Sequence, residues 1–359
     1  MIRSGVILFF LLLTMGASAQ GSFTVKGTTR GLPNGTRLYL QLADAAANAR
    51  ADSATVQQNR FEIKGRLAAS AQHMVLYTAD QRQQKTFWLE AGTTTLVMTN
   101  YELRFAEISG TPLANEQQKL ANTVRPFLRQ QKALEEAAEK PDADHEKLAA
   151  AYEAAEQSEA AAYRQFVRQH PASLLSTFYL SMFKTQWDID TTRQLFAGLQ
   201  PQQQQSKSGE AVSRYLAMVR KIAVDSMYAD VAAPDTSGVL QKLSALQGKW
   251  VLLEFWASWC GPCRQANPAL RQSYEALKGH PFEIFAVSLD EDGDSWRKAI
   301  VKDQLPWIQV SQLKGWEDDA ALTYRISAIP HNILIAPNGK VVAIEVEPED
   351  LPALVKGRQ

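Results

Sequence analysis

The chain has 359 residues, 38 basic and 38 acidic, and 45% of them are hydrophobic. That length accommodates two or three domains, and the balanced charge, with no basic stripe, argues against a nucleic acid or an acidic surface as partner. Two cysteines exclude a disulfide framework, so the fold must stand on its apolar core.

Residues 1–19 are expected to be an export signal. Arg3 is a minimal basic start, Gly5 to Met15 is nearly all apolar, and Ala17-Ser18-Ala19 is a small-residue cleavage site that leaves Gln20 first in the mature chain. The competing reading is an uncleaved anchor, but the apolar core falls short of the ~20 residues of a membrane span. No cysteine stands near the cut to carry a lipid. The expected location is the periplasm or cell envelope, with no transmembrane segment after cleavage.

Residues 20–112 read as a β-rich domain, sandwich-like or barrel-like. Phe23-Thr24-Val25-Lys26-Gly27 and Arg60-Phe61-Glu62-Ile63-Lys64-Gly65 alternate, Asn34-Gly35 is a turn signal, and Ala91-Gly92 turns into Thr93 to Met98. Residues 113–230 read as helical: the stretch is rich in Ala, Glu, Gln and Lys, and Leu120, Val124, Phe127 and Leu128 recur at helical spacing. Breaks are expected at Pro141, Pro171 and Pro201, and the polar run Gln202 to Ser208 is expected to be a loop.

Residues 231–359 alternate strand and helix. Lys249 to Trp256 is a buried-strand run, Arg264 to Leu277 a helix and Phe282 to Ser288 a strand; Asn332 to Ala336, a turn at Asn338-Gly339, and Val341 to Val346 form a hairpin. Between the first strand and helix stand the two cysteines, in Trp259-Cys260-Gly261-Pro262-Cys263. A thiol at a helix N-terminus meets unpaired backbone N–H groups and the positive end of the helix dipole, which stabilise its thiolate. Cys260 is therefore the candidate nucleophile, and Cys263, one turn further in, is placed to resolve a mixed disulfide. A purely structural bridge would close a longer loop to remove more unfolded-state entropy. A zinc site needs four ligands, and neither a second cysteine pair nor a partner for His280 at ligand spacing exists.

The cysteine stretch resembles the active site of the thioredoxin superfamily, and the zone as a whole resembles the envelope thioredoxins of the TlpA/ResA type. Ala233-Pro234-Asp235, the lead-in Leu246-Gln247-Gly248-Lys249-Trp250-Val251, and a segment between Val287 and Ile329 carrying Trp296, Trp307 and Tyr324 support this. The stretch from Asp235 to Leu243 is less strand-like than usual, which implies a reduced N-terminal hairpin. Lys26-Gly27, Arg60-Phe61 and Glu90-Ala91-Gly92 resemble the β-rich domain of unknown function that precedes many such thioredoxins. The implied fold is an α/β thioredoxin fold at the C-terminus, after a small all-β domain and an α-helical segment.

The resemblance implies a Cys260–Cys263 redox disulfide. It implies a cis Ile329-Pro330 bond facing the cysteines, where a substrate strand can pair. It also implies that Glu254 moves a proton to or from the resolving thiol, a role suited to a carboxyl whose pKa burial has raised; the plainer reading pairs Glu254 with Lys249. The expected catalytic set is Cys260, Cys263, Glu254 and Pro330, and the expected substrate-binding set is Trp259, Gly261, Pro262 and Ile329. No cofactor or metal is implied. The implied partners are protein substrates with disulfides and a membrane electron donor of thiol type. The Gly-Pro pair between the cysteines favours a reductase. A thiol peroxidase is disfavoured, since Ala257 stands where such an enzyme usually has Thr. A disulfide isomerase acting as an oligomer, or a ligand-binding or scaffold protein with an incidental thioredoxin domain, remain the alternatives.

Overall fold

The structure is a computed structural model and describes residues 21–45, 52–98 and 102–357. The expected export signal, residues 1–19, lies outside the described residues. Two compact units meet in the chain between Tyr163 and Arg164.

The first unit opens with eight strands: β1 (Ser22–Thr29), β2 (Arg37–Leu42), β3 (Asp52–Thr55), β4 (Arg60–Arg66), β5 (Ala71–Thr78), β6 (Gln84–Glu90), β7 (Gly92–Met98) and β8 (Glu107–Ser109). They form two four-stranded sheets, in the orders β4-β1-β7-β8 and β3-β2-β5-β6. Alternation does its expected work. Phe23 and Val25 of one sheet and Leu38, Leu40 and Leu76 of the other point into one shared apolar cluster, as in a sandwich. Gly27 and Phe61 are cross-strand partners, and a Cβ on Gly27 would come within 1.8 Å of the Phe61 ring. Glycine there lets the ring lie across the strand. Helices α1 (Pro112–Ala138) and α2 (His145–Gln169) follow. Thr111 caps α1 by accepting from the Ala114 N–H, and Pro112 opens it.

The second unit starts within α2. It continues through α3 (Leu174–Phe183), α4 (Ile189–Gly198), α5 (Pro201–Gln204) and α6 (Lys207–Met218). The run expected as a loop is mostly helical, and its side chains explain why. Gln204 Nε2 donates to the carbonyls of Phe196 and Leu199, which end α4, and the Ser206 hydroxyl accepts from Gly209 N–H to cap α6. Glutamines that serve as caps read as low complexity in the sequence.

A hairpin of β9 (Ala232–Pro234) and β10 (Leu240–Lys242) has strands of three residues each. Then come β11 (Trp250–Trp256), α7 (Gly261–Ala276), β12 (Phe282–Ser288), α8 (Gly293–Asp303), β13 (Ile308–Val310), α9 (Asp319–Tyr324), β14 (His331–Ile335), β15 (Val341–Ile344) and α10 (Leu351–Lys356). The sheet order is β13-β12-β11-β14-β15, with β11, β12 and β13 parallel and β14 and β15 antiparallel. This is the thioredoxin-like fold expected for the C-terminus. The helices before it pack on it through a separate small cluster: Tyr215 and Val219 pack with Leu322 of α9, all three buried. Arg325 donates to the carbonyls of Thr185, Gln186 and Trp187. The helical stretch 113–230 is thus divided between the two units: α6 covers Leu322, and the turn between α3 and α4 satisfies Arg325.

Candidate active site

β11 is the central strand of its sheet, and all seven residues are buried, which is why it reads as a continuous apolar run. The chain leaves it at Trp256 and enters α7 with Cys260 as the N-cap. Gly261 and Pro262 fill the first helical positions, both exposed; proline is favoured there because its missing N–H would have no partner anyway. Cys260 Sγ accepts the Cys263 N–H at 3.1 Å, and the two sulfurs are joined as a disulfide. Cys260 is 4% exposed and Cys263 1%.

Two carboxylates that sequence reasoning passed over hold this loop. Asp290, buried just past β12, accepts from Ser258 N–H at 2.8 Å, Ser258 Oγ at 2.5 Å and Ser288 Oγ at 2.6 Å. Three donors satisfy a group that would be costly to bury alone. Arg264, next to Cys263, makes a fork to Asp303, 2.6 Å to each oxygen, and also donates to the Ser258 carbonyl at 3.2 Å. The Arg264 hydrogen bond holds the Asp303 carboxyl below its usual range. The signal for Asp290 was a charged residue closing an apolar strand, in Ser288-Leu289-Asp290.

Glu254 is buried on β11, two residues before its end, and burial pushes its carboxyl up to about 8. Desolvation alone sets that shift, with no ion pair to Lys249 to offset it. Glu254 pairs with Asn332 and Phe255 with His331, so the register sets Pro330 beside the end of β11, where the chain turns into the cysteine loop. The Ile329–Pro330 bond is cis. Pro330 is exposed, and Ile329 packs half-buried on the core. His331 Nδ1 lies 3.2 Å from Glu345 Oε1. Trp256 is core, its indole N–H donating to Gln309 Oε1. Trp259 is 56% exposed, and its ring centroid lies 6.3 Å from that of Trp316, which is 41% exposed and which no sequence pattern singled out. Among the described residues no cluster of side chains could hold a metal ion.

A buried carboxyl, a cysteine pair at a helix start and a proline at the head of the neighbouring strand share one end of the sheet. The AhpC/TSA family matches residues 224–344, and a domain of unknown function, DUF4369, matches residues 23–117. The thiol-disulfide oxidoreductase ResA of Bacillus subtilis is 34% identical over 112 residues, which is 31% of this chain and 60% of that protein. ResA of Geobacillus kaustophilus is 32% identical over 123 residues, 34% of this chain and 69% of that protein. The chain belongs to the ResA-type thiol-disulfide oxidoreductase family. Nucleoredoxin of Xenopus laevis is 34% identical over 109 residues, 28% of this chain. The chain thus spans 60% of the Bacillus subtilis ResA and 25% of that nucleoredoxin. A solved thioredoxin domain of a thiol-disulfide oxidoreductase from Bacteroides vulgatus is 36% identical and covers 38% of this chain and 98% of its own, with a TM-score of 0.36. The ResA-type relatives match this chain over about its last third, and DUF4369 matches its β-rich start.

Proposed function

We propose that the protein is an envelope thiol-disulfide oxidoreductase that reduces disulfides of protein substrates. The observation that carries this is the Cys260–Cys263 disulfide at the start of α7, on the same end of the sheet as the buried Glu254. In the reduced protein, Cys260 thiolate attacks a substrate disulfide and one substrate sulfur leaves as thiolate. Cys263 gives its proton to Glu254 and attacks Cys260 Sγ, which breaks the mixed disulfide and releases the second substrate thiolate. Two electrons have passed to the substrate, and the Cys260–Cys263 disulfide remains. A carboxyl that titrates near 8 exchanges its proton in either direction close to neutral pH. A thiol donor of the membrane returns the pair to the dithiol.

Trp259, Gly261 and Pro262 flank Cys260 in the chain, and the register sets Ile329 and Pro330 beside the end of β11; this supports their assignment to substrate contact. The chemistry is assigned to residues 231–359, and the β-rich residues 20–112 and helical residues 113–230 govern partner choice and positioning. Envelope location rests on the export signal at residues 1–19. The test is reduction of insulin by the mature chain with excess dithiothreitol as electron source: turnover above the dithiothreitol background is expected for the native protein and none for Cys260→Ser. Equal turnover by both would overturn the assignment. N-terminal sequencing of the exported product should read from Gln20; a product retaining Met1 would contradict export by cleavage.

A further inference from the structure

Cys260 and Cys263 expose 4% and 1% of their surface, so a substrate gains little from touching the sulfurs themselves. The surface beside them is different. Of eight tryptophans in the chain, five are buried, Trp88 is half-buried, and the two exposed ones, Trp259 and Trp316, are neighbours with their rings tilted 52° apart. One of the two immediately precedes the nucleophile. Two tilted rings form an open wedge, a shape that receives an apolar side chain on aromatic faces.

Trp316 is held from both sides. Ahead of it, Gly315 has a φ of +56°, and a Cβ there would come within 2.6 Å of Glu291 Oε1. Leu313, at φ 54° and 38% exposed, is fixed through its N–H to Ser311 Oγ. Behind it, Glu317 accepts from the buried Lys184 Nζ at 2.5 Å, and its carbonyl accepts from Arg214. Arg214 also pairs with Asp319. Lys184 follows α3 and Arg214 lies in α6, so the helices ahead of the thioredoxin-like sheet anchor a residue at its reactive end.

We propose that Trp259 and Trp316 together seat an apolar side chain of the substrate polypeptide beside its cysteine, and that Lys184 and Arg214 are positioning residues for that seat. The substrate segment is the occupant because any chain that presents a disulfide to Cys260 must pass Trp259, and the exposed ring of Trp316 beside it continues that surface. This rests on the oxidoreductase reading above and adds to it a preference for substrate sequence.

The test uses the full mature chain and two disulfide peptides that differ only in having Leu or Ser next to the cysteine, with hydroxyethyl disulfide as a small substrate. Trp316→Ala should raise KM for the Leu peptide about tenfold, equivalent to ~1.4 kcal/mol, with kcat unchanged. It should leave the Ser peptide and hydroxyethyl disulfide unaffected. Trp316→Phe should restore most of the loss, and Lys184→Met should move KM in the same direction by a smaller factor. Equal KM for the two peptides in the native protein, or equal effects of Trp316→Ala on both, would overturn the proposal. Binding of the S-methylated peptides to the oxidised protein, read by calorimetry, separates the two readings. Preference for Leu in binding without turnover of any disulfide would sink the oxidoreductase assignment and keep the seat, whereas turnover without that preference would do the reverse.

Discussion

Among the described residues the fully buried polar side chains of the strand-rich unit are Thr29, Thr78, Thr94, Thr111 and Gln131, all neutral, whereas the second unit, besides neutral groups, buries the ionisable Lys184, Glu254, Asp290 and Asp318. Burying a neutral hydroxyl or amide costs far less than burying a charge. An ionisable group costs several kcal/mol to bury unless it is paired or neutralised. Each of the four has found a different solution. Asp290 takes three donors from Ser258 and Ser288, and Lys184 takes Glu317. Asp318 accepts the N–H groups of Gln312 and Ala320, yet burial still raises its pKa. Glu254 has no such help, and its pKa rises to about 8. Asp290 and Lys184 bind, through Ser258 and Glu317, the segments that carry Cys260 and Trp316; Asp318 lies on the Trp316 segment, and Glu254 is on the strand that leads to Cys260. Among the described residues the buried Asp, Glu and Lys side chains thus lie in the second unit, around its reactive end, where burial of this kind costs stability.

The largest contrast should come from single substitutions at the two kinds of core. Cys260→Ser should bring disulfide turnover to background. Leu76→Ala in the first unit, though it empties a fully buried site, should leave kcat within about twofold of native while costing about 2–5 kcal/mol of that unit's stability. A large loss of kcat in Leu76→Ala would show that the β-rich unit takes part in the chemistry.

Glu254→Gln should slow resolution of the mixed disulfide by about 10²-fold, the scale of one positioned acid–base group. Stability should move the other way. The folded pKa of about 8 lies above the unfolded value of 4.5. The native state therefore holds the extra proton between those limits. The contribution is fully present below pH 4.5 and is lost as pH rises to about 8, on the order of a few kcal/mol in all. Chemical denaturation from pH 4 to 9 should show that decline in the native protein and a flatter profile in Glu254→Gln. A native profile as flat as the variant's would mean that Glu254 is ionised without strain.

Leu322→Ala should cost the second unit about 2–5 kcal/mol, because it opens the contact with Tyr215 and Val219. Asp290→Asn should have the smallest effect, about 1–3 kcal/mol, since an amide keeps the shape but leaves one of the Ser258 or Ser288 donors unmatched. Thermal unfolding followed for each unit checks both, and equal melting of native and variant proteins would contradict the packing described.

Local pattern made much of this readable in advance. Alternation in Phe23 to Gly27 and Arg60 to Gly65 marks strands with one face covered, and the run Val251 to Phe255, apolar but for Glu254, marks a strand covered on both. Pro262 after Cys260 fixes where α7 begins. What escaped the sequence depends on partners far away in the chain. Lys184 and Glu317 are 133 residues apart, and nothing near either names the other. Trp316 gains meaning only from lying beside Trp259, and Asp290 only from lying under Ser258. The glutamines at 202–204 look like filler until the carbonyls of α4 and of Ala172 are set beside them.

The central claim is that Cys260 attacks and Cys263 resolves. Mass spectrometry of reduced Cys263→Ser mixed with a single-disulfide peptide tests it most directly. The expected product is one peptide strand bound covalently to Cys260, accumulating because the resolving thiol is gone, while Cys260→Ser carries no adduct. Stable adduct on Cys263 of Cys260→Ser, with none on Cys260 of Cys263→Ser, would contradict the account.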